Sequence, residues 1–190
     1  MIHSLEKFVS FLHKKYGITP EILTYIKIFG APWLALLISK VLSSKSLLLA
    51  IIVLIFYIAL VATSFLEKPL SEIASKKEKK DYSSDNMLSH LSNKILIIFA
   101  LIPFGLNLFT FLLISAESIF VFQAIFLPES KKPSDKNEVT KIILQILLIP
   151  ILILQAATSF VPELVIYIYI LIVIISTYFS IYSHFFYFKE

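Results

Sequence analysis

Long apolar runs separated by short polar segments dominate the chain. About 20 consecutive apolar residues cross the hydrocarbon core of a bilayer as a helix, so the pattern predicts six spans. They cover approximately residues 22–42, 47–66, 88–103, 107–127, 139–158 and 164–186. The apolar run from 88 to 127 is too long for one crossing, and Pro103, Gly105 and Asn107 mark a break within it. We therefore expect an all-α integral membrane protein with a single membrane domain, residues 1–190.

The first segment, residues 1–17, has a different pattern. Its apolar residues fall on one helical stripe, and charged residues such as Glu6 and Lys7 occupy the other positions. The stripe consists of Ile2, Leu5, Phe8, Val9, Leu12 and Tyr16. A cleavable signal peptide would have a compact apolar core instead. The pattern predicts a short helix in the membrane interface, and an ordinary amphipathic packing helix fits it equally well.

Composition and charge placement agree with the membrane class. The chain is 58% hydrophobic, and its formal charge of +4 comes from 17 basic residues, all of them lysine, against 13 acidic ones. If the N-terminus is cytoplasmic, only Lys40 and Lys45 fall outside, which predicts two cytoplasmic termini and a cytoplasmic loop at 67–87. We therefore assign the basic balance to topology and expect no nucleic-acid partner. The absence of cysteine excludes disulfides and thiol catalysis.

Polar residues near the ends of three spans are the candidate chemistry, because polar groups are costly there. Thr24 and Lys27 begin the first span, the segment 63–72 (TSFLEKPLSE) closes the second, and the segment 89–94 (SHLSNK) opens the third. All three lie on the predicted cytoplasmic side, so they could converge on one pocket between helix ends. Capping, snorkelling lysines and hydrogen bonds between helices explain each segment as well.

This layout resembles the CDP-alcohol phosphatidyltransferase family, whose membrane enzymes move a phosphatidyl group from CDP-diacylglycerol to an alcohol and release CMP. Pro20, Glu21, Thr24 and Lys27 take the places of the family's Pro-Asn-x-x-Thr-x-x-Arg pattern. The resemblance covers nearly the whole chain in the order of spans and loops. It implies a phosphatidylglycerophosphate-synthase-like fold, a role in phospholipid synthesis, and a dimer with a cavity that faces the cytoplasm.

The family signature, D-x2-D-G-x2-A-R-x8-G-x3-D-x3-D, bridges the second and third spans. Ser64 and Glu67 take the first two aspartate positions, and Ser89 and Asn93 take the last two. Ala116-Glu117 falls where many members have Arg-Glu. The positions that the resemblance implies for substrate binding are Thr24, Lys27, Ser71, Glu72, Lys94, Lys141 and Gln145.

In the family, as the resemblance implies, the four aspartates hold divalent metals and the last one is also the general base. Here these positions offer one carboxylate, Glu67, and Asn93 at the base position cannot usefully accept a proton. Mg²⁺ or Mn²⁺ is the expected cofactor if the protein is active, and we expect no tightly bound metal otherwise. Nearby acids that could compensate are Asp81 and Asp85.

Three functional hypotheses follow. The first is a degenerate, inactive or weakly active transferase that binds membrane lipid or pairs, as a homodimer or as a heterodimer with an intact relative. The second is a divergent active enzyme that acts on CDP-diacylglycerol through Glu67, Asp81 and Asp85. The third is a non-enzymatic membrane scaffold that merely shares this layout, since a fold does not fix a function.

Overall fold

The computed structural model describes residues 2–78, 83–105, 108–126 and 136–186. Within these ranges the chain is helical apart from short turns and contains no strand. The α-helices are α1 (Ile2–Tyr16), α2 (Pro20–Ser44), α3 (Leu47–Glu78), α4 (Ser83–Leu101), α5 (Leu108–Phe126), α6 (Lys136–Thr158) and α7 (Glu163–Phe186). A short 3₁₀ helix, Ile102–Phe104, follows α4. The predicted all-α class is confirmed.

Within the part of the chain that the structure describes, four helical stretches are long and apolar enough to cross a membrane. They are Pro20–Ser44, Leu47–Glu67, Lys141–Thr158 and Glu163–Tyr182, close to four of the predicted spans. Large apolar side chains such as Phe29, Trp33 and Ile55 are exposed on their outer faces, where lipid would contact them in a bilayer. The chain is therefore a membrane protein. The predicted spans 88–103 and 107–127 coincide with shorter apolar helices, Leu91–Phe104 and Leu108–Ile119.

The break predicted within the long apolar run lies between α4 and α5. Pro103 is part of the 3₁₀ helix, and Gly105 follows it with a φ of 86°, a conformation that glycine adopts without steric cost. The Gly105 N–H donates to the Ile102 carbonyl at 3.1 Å, and the Thr110 hydroxyl donates to the Gly105 carbonyl at 2.6 Å. Both backbone polar groups of Gly105 are thus satisfied locally. Asn107 lies outside the described residues.

The predicted loop at 67–87 is helical over most of its length, which corrects the sequence prediction. Helix α3 continues to Glu78 although Pro69 lies inside it, and α4 already begins at Ser83. The reason is an apolar stripe beyond the span, formed by Leu66, Leu70 and Ile73 at helical spacing. This stripe packs on Val9 of α1, on Ile18 in the turn before α2, and on Leu23 of α2. Burial of this stripe stabilises α3 beyond the point where the polar composition of residues 67–87 predicts a loop.

Helix α1 combines the two readings of its sequence. Its Val9 side chain is buried against α3, as in a packing helix. Phe8, Phe11 and Tyr16 remain exposed, and the Lys15 ammonium lies 5.1 Å from the centre of the Phe11 ring. A docked helix with exposed aromatic and cationic groups is the composition expected at a membrane surface.

The core forms around α2, which packs on α3, α4 and α6. Ala31, Leu34 and Ile38 of α2 are buried in one cluster with Tyr57 and Leu60 of α3. Gly30 permits the close approach, because a Cβ atom there would lie 2.7 Å from Leu60 Cδ2. This contact also brings two polar residues that precede Gly30 on α2, Thr24 and Lys27, close to two that follow Leu60 on α3, Ser64 and Glu67.

A tyrosine compensates for a proline inside α6. Pro150 has no N–H, so the Ile146 carbonyl lacks its helical partner four residues later. The Tyr57 hydroxyl of α3 donates to that carbonyl at 3.2 Å. Tyr169 of α7 donates in the same way to the Leu144 carbonyl at 3.0 Å, although that carbonyl keeps its helical partner. Two helices are therefore tied to the backbone of α6 by hydroxyl groups.

We expect the Tyr57→Phe substitution to destabilise the protein by about 1–3 kcal/mol, because it leaves the carbonyl of half-buried Ile146 without a donor. In a Pro150→Ala background the restored backbone N–H serves that carbonyl, so the same substitution should cost clearly less. Unfolding in mixed micelles, followed by circular dichroism, measures the double-mutant cycle. Tyr169→Phe is the matched control and should cost the same in both backgrounds. An equal cost of Tyr57→Phe in both backgrounds would contradict this account.

Candidate functional site

Six polar side chains from three helices meet at one place, which we call the Lys27 cluster. Thr24 and Lys27 come from α2, Ser64 and Glu67 from α3, and Ser89 and Asn93 from α4. Within each pair the residues are three or four positions apart, so both members face the same way. The structure thus brings together the three polar segments that the sequence singled out.

The Lys27 ammonium lies at the centre of this cluster. Its Nζ is 2.8 Å from Glu67 Oε1 and 2.9 Å from Glu67 Oε2. It is also 2.7 Å from Asn93 Oδ1 and 3.4 Å from Ser64 Oγ. Lys27 is completely buried and Glu67 is 5% exposed. A buried ammonium therefore has a carboxylate and an amide oxygen as its close partners, which is how proteins stabilise such a charge.

The hydroxyl groups of the cluster hold these oxygens in position. Thr24 donates to Glu67 Oε1 at 3.0 Å, and Ser89 donates to Glu67 Oε2. Ser64 donates to Asn93 Oδ1 at 2.8 Å. Each carboxylate oxygen of Glu67 thus accepts from one hydroxyl and contacts the ammonium. The cluster holds one positive and one negative charge, so its net charge is zero.

The residues of the Lys27 cluster do not fit the divalent metal that the family resemblance implies. Mg²⁺ prefers several hard anionic oxygens in octahedral order, and the cluster has one carboxylate, already bonded to Lys27. Among the described residues there is no group of three or more His, Cys, Asp or Glu that could hold a metal ion. Asp81 lies outside these residues. Asp85 belongs to α4, in register with Ser89 and Asn93, and its side chain is not described.

A second buried cluster surrounds Glu117 of α5, and we call it the Glu117 cluster. Glu117 Oε2 is 3.0 Å from the Lys94 ammonium, and Glu117 Oε1 is 3.2 Å from that of Lys141. Gln145 Nε2 donates to Glu117 Oε1 at 2.6 Å and to Thr177 Oγ1 at 3.2 Å. Glu117, Lys141 and Thr177 are all completely buried. Helices α4, α5, α6 and α7 thus meet at one polar point inside an apolar bundle.

The two clusters divide the residues that the resemblance implied for substrate binding. Thr24 and Lys27 belong to the Lys27 cluster, whereas Lys94, Lys141 and Gln145 belong to the Glu117 cluster. Of the remaining two positions on α3, Ser71 is half-buried one turn beyond Glu67 and Glu72 is exposed. Asn93 and Lys94 are consecutive on α4, so this helix contributes to both clusters at once.

Sequence reasoning missed Glu117 as a centre and Thr177 as a partner. The signal for Glu117 was present, because a carboxylate in an otherwise apolar helix requires a cation from a neighbouring helix. Lys94 and Lys141 lie inside the predicted spans and are the matching cations. Thr177 carried no such signal, since threonine is common in helices that cross membranes.

Comparison with known proteins adds no identification. No family model matches the chain, and no curated protein or solved structure matches it.

We expect Lys27→Met or Glu67→Gln alone to destabilise the protein by about 3–5 kcal/mol, because each leaves a buried charge without its partner. The double variant removes both charges and should be more stable than either single variant. Unfolding in mixed micelles tests this coupling. Lys40→Met and Glu72→Gln, at exposed positions, are the matched controls and should change stability little. Additive losses in the double variant would contradict the pairing.

Proposed function

We propose that this chain is a membrane protein of the CDP-alcohol phosphatidyltransferase type with little or no phosphatidyl-transfer activity. One observation carries the proposal. Four positions that correspond to the family's aspartates meet in the Lys27 cluster, and the single carboxylate among them is paired with Lys27. The spatial agreement supports the family, and the pairing supports the loss of its chemistry.

The reaction itself explains why this pairing matters. Phosphatidyl transfer forms a bond from the acceptor's hydroxyl oxygen to the phosphatidyl phosphorus and breaks the bond from that phosphorus to CMP. A base must take the hydroxyl proton, and a positioned base contributes about 10²–10⁴-fold to the rate. Asn93 stands at the base position with an amide oxygen that already accepts from Lys27 and Ser64. Both oxygens of Glu67 are engaged as well. Neither group is poised to receive a proton.

A protein of this kind acts through binding. We propose that it binds membrane lipid or pairs with another subunit, either a second copy or an intact relative. The support is the retained framework, since helices α2, α3 and α4 still bring the substituted positions into one cluster of hydrogen bonds. In this proposal the framework serves recognition, and any chemistry belongs to an intact relative when that relative is the partner.

A rebuilt active site is the second candidate, and the early start of α4 favours it. Because α4 begins at Ser83, Asp85, Ser89 and Asn93 share one helical face. Asp85 with Asp81 and Glu67 would then supply carboxylates for Mg²⁺ or Mn²⁺. Glu67 would have to exchange Lys27 for the metal in this scheme.

We also propose six spans with both termini in the cytoplasm. The two shorter apolar helices, Leu91–Phe104 and Leu108–Ile119, supply the third and fourth crossings beside the four longer ones. The lysine distribution supports the orientation, since Lys40 and Lys45 alone fall on the outer side. The Lys27 cluster then lies on the cytoplasmic side.

The activity proposal predicts that the purified protein releases no CMP above background from CDP-diacylglycerol with Mg²⁺ or Mn²⁺ and a panel of alcohols. Radiolabelled CMP measures the reaction, and an active family enzyme in the same micelles is the positive control. CMP release that disappears in Glu67→Ala or Asp85→Ala would establish the rebuilt site. Exposed Glu163→Ala, at the start of α7, is the matched control and should leave any such activity unchanged.

The topology proposal can be tested with single cysteines, because the chain contains none of its own. In intact cells, a maleimide that cannot cross membranes should label Ser43→Cys and Phe160→Cys, at exposed positions on the outer side. It should label Lys15→Cys and Glu72→Cys only after permeabilisation. Labelling of Ser43→Cys and Glu72→Cys from the same side would contradict the orientation.

A further inference from the structure

The Lys27 cluster has the arrangement of a cation site, and its cation is part of the chain. Helices α3 and α4 direct four oxygen atoms at one point: both oxygens of Glu67, Oδ1 of Asn93 and Oγ of Ser64. Helix α2 delivers the Lys27 Nζ to that point. The ammonium lies 2.7–2.9 Å from three of these oxygens, within the range of charge-assisted hydrogen bonds.

The hydroxyl groups hold the acceptor oxygens in position around the ammonium. Thr24 and Ser89 donate their protons to Glu67, and Ser64 donates to Asn93. These donors fix the oxygens while leaving other lone pairs directed at the centre. If the ammonium were removed, a buried carboxylate and an amide oxygen would face each other with no cation between them. Such a site attracts a cation, because an uncompensated buried charge is unfavourable.

We propose that Lys27 acts as a built-in cation that occupies this site and excludes divalent metals from it. Truncation of Lys27 would then create a binding site for a primary alkylammonium ion, which supplies the same charge and the same three donors. The proposal rests on the geometry of the Lys27 cluster and does not depend on whether the chain transfers phosphatidyl groups.

Charge and donor chemistry explain why a divalent metal does not compete with Lys27. A metal entering the cluster would meet a single carboxylate and two neutral side-chain oxygens. It would also meet the positive charge of Lys27, held there by its own backbone. The covalent link gives the ammonium a high effective concentration that no free ion matches. Helices α2, α3 and α4 are thus joined at this point without any bound ion.

The first experiment truncates the Lys27 side chain and supplies the removed atoms as a free amine. Lys27→Ala removes the ammonium and the outer three of the four side-chain carbons, and n-propylammonium has the same atoms. We expect n-propylammonium to raise the melting temperature of Lys27→Ala in micelles saturably, by about 5–10 °C at 100 times its Kd. Tetramethylammonium, which has no N–H donor, should give no such shift at equal concentration.

Matched variants separate site binding from a general salt effect. Lys27→Met fills most of the space, and Lys27→Ala/Glu67→Gln removes the anion, so neither should respond to n-propylammonium. The unsubstituted protein should not respond either, because its site is filled. An absent shift in Lys27→Ala, or equal shifts in all four proteins, would overturn the proposal. If Lys27→Ala is recovered folded only when the amine is present during purification, that dependence is the expected result in its strongest form.

A second experiment tests the exclusion of metal and decides the question independently. Ser64→Asp/Asn93→Asp places three carboxylates in the cluster together with Glu67. We expect Mn²⁺ to raise the melting temperature of this variant only when Lys27→Ala is added, with tightly bound Mn²⁺ visible by paramagnetic resonance. Equal Mn²⁺ binding with Lys27 in place would overturn the proposal. Because these readouts are stability and metal binding, the result is distinct from the CMP-release assay.

Discussion

A lysine ammonium inside a bundle of apolar helices is tolerated only where an anion and further acceptors meet it. Lys27 and Glu67 meet this requirement together, and the hydroxyls of Thr24, Ser64 and Ser89 complete it. Because the groups come from three helices, the pairing fixes the rotation of α2, α3 and α4 relative to one another. Apolar contacts alone are less specific, since lipid tails solvate apolar faces equally well. The close packing at Gly30 and Leu60 belongs to the same alignment of α2 and α3.

Helix α4 transmits this constraint to the rest of the protein. Its consecutive residues Asn93 and Lys94 point about 100° apart, one towards the Lys27 cluster and the other towards Glu117. The position of α4 against α2 and α3 is therefore tied to its position against α5 and α6. Gly105 lies on the chain between Lys94 and Glu117, so the turn that contains it has to place α4 and α5 where this ion pair can form.

Much of this arrangement follows from the sequence, for identifiable reasons. The break at Pro103 and Gly105 was predictable because the responsible groups are local, a missing donor and a residue that accepts positive φ. The continuation of α3 beyond Glu67 was not, because it depends on contacts with Val9 and Leu23 from distant parts of the chain. Ser64, Glu67, Ser89 and Asn93 were found as candidate positions by their order along the chain. The position of Lys27 as the cation between these residues could not be predicted. It depends on the rotation of α2 about its own axis, which no local sequence pattern specifies.

The length of the apolar part of α3 also bears on how deep the Lys27 cluster would lie in a bilayer. Its apolar stretch Leu47–Glu67 has 21 residues, roughly 31 Å at about 1.5 Å per residue, which matches the hydrocarbon thickness of about 30 Å. If this stretch crosses the hydrocarbon core, Glu67 lies where the acyl chains end, and the stripe on which α1 packs begins at the same level. A thicker bilayer would then draw the ion pair of Lys27 and Glu67 towards hydrocarbon. In that arrangement the length of the lipid chains would be coupled to the electrostatics of the cluster.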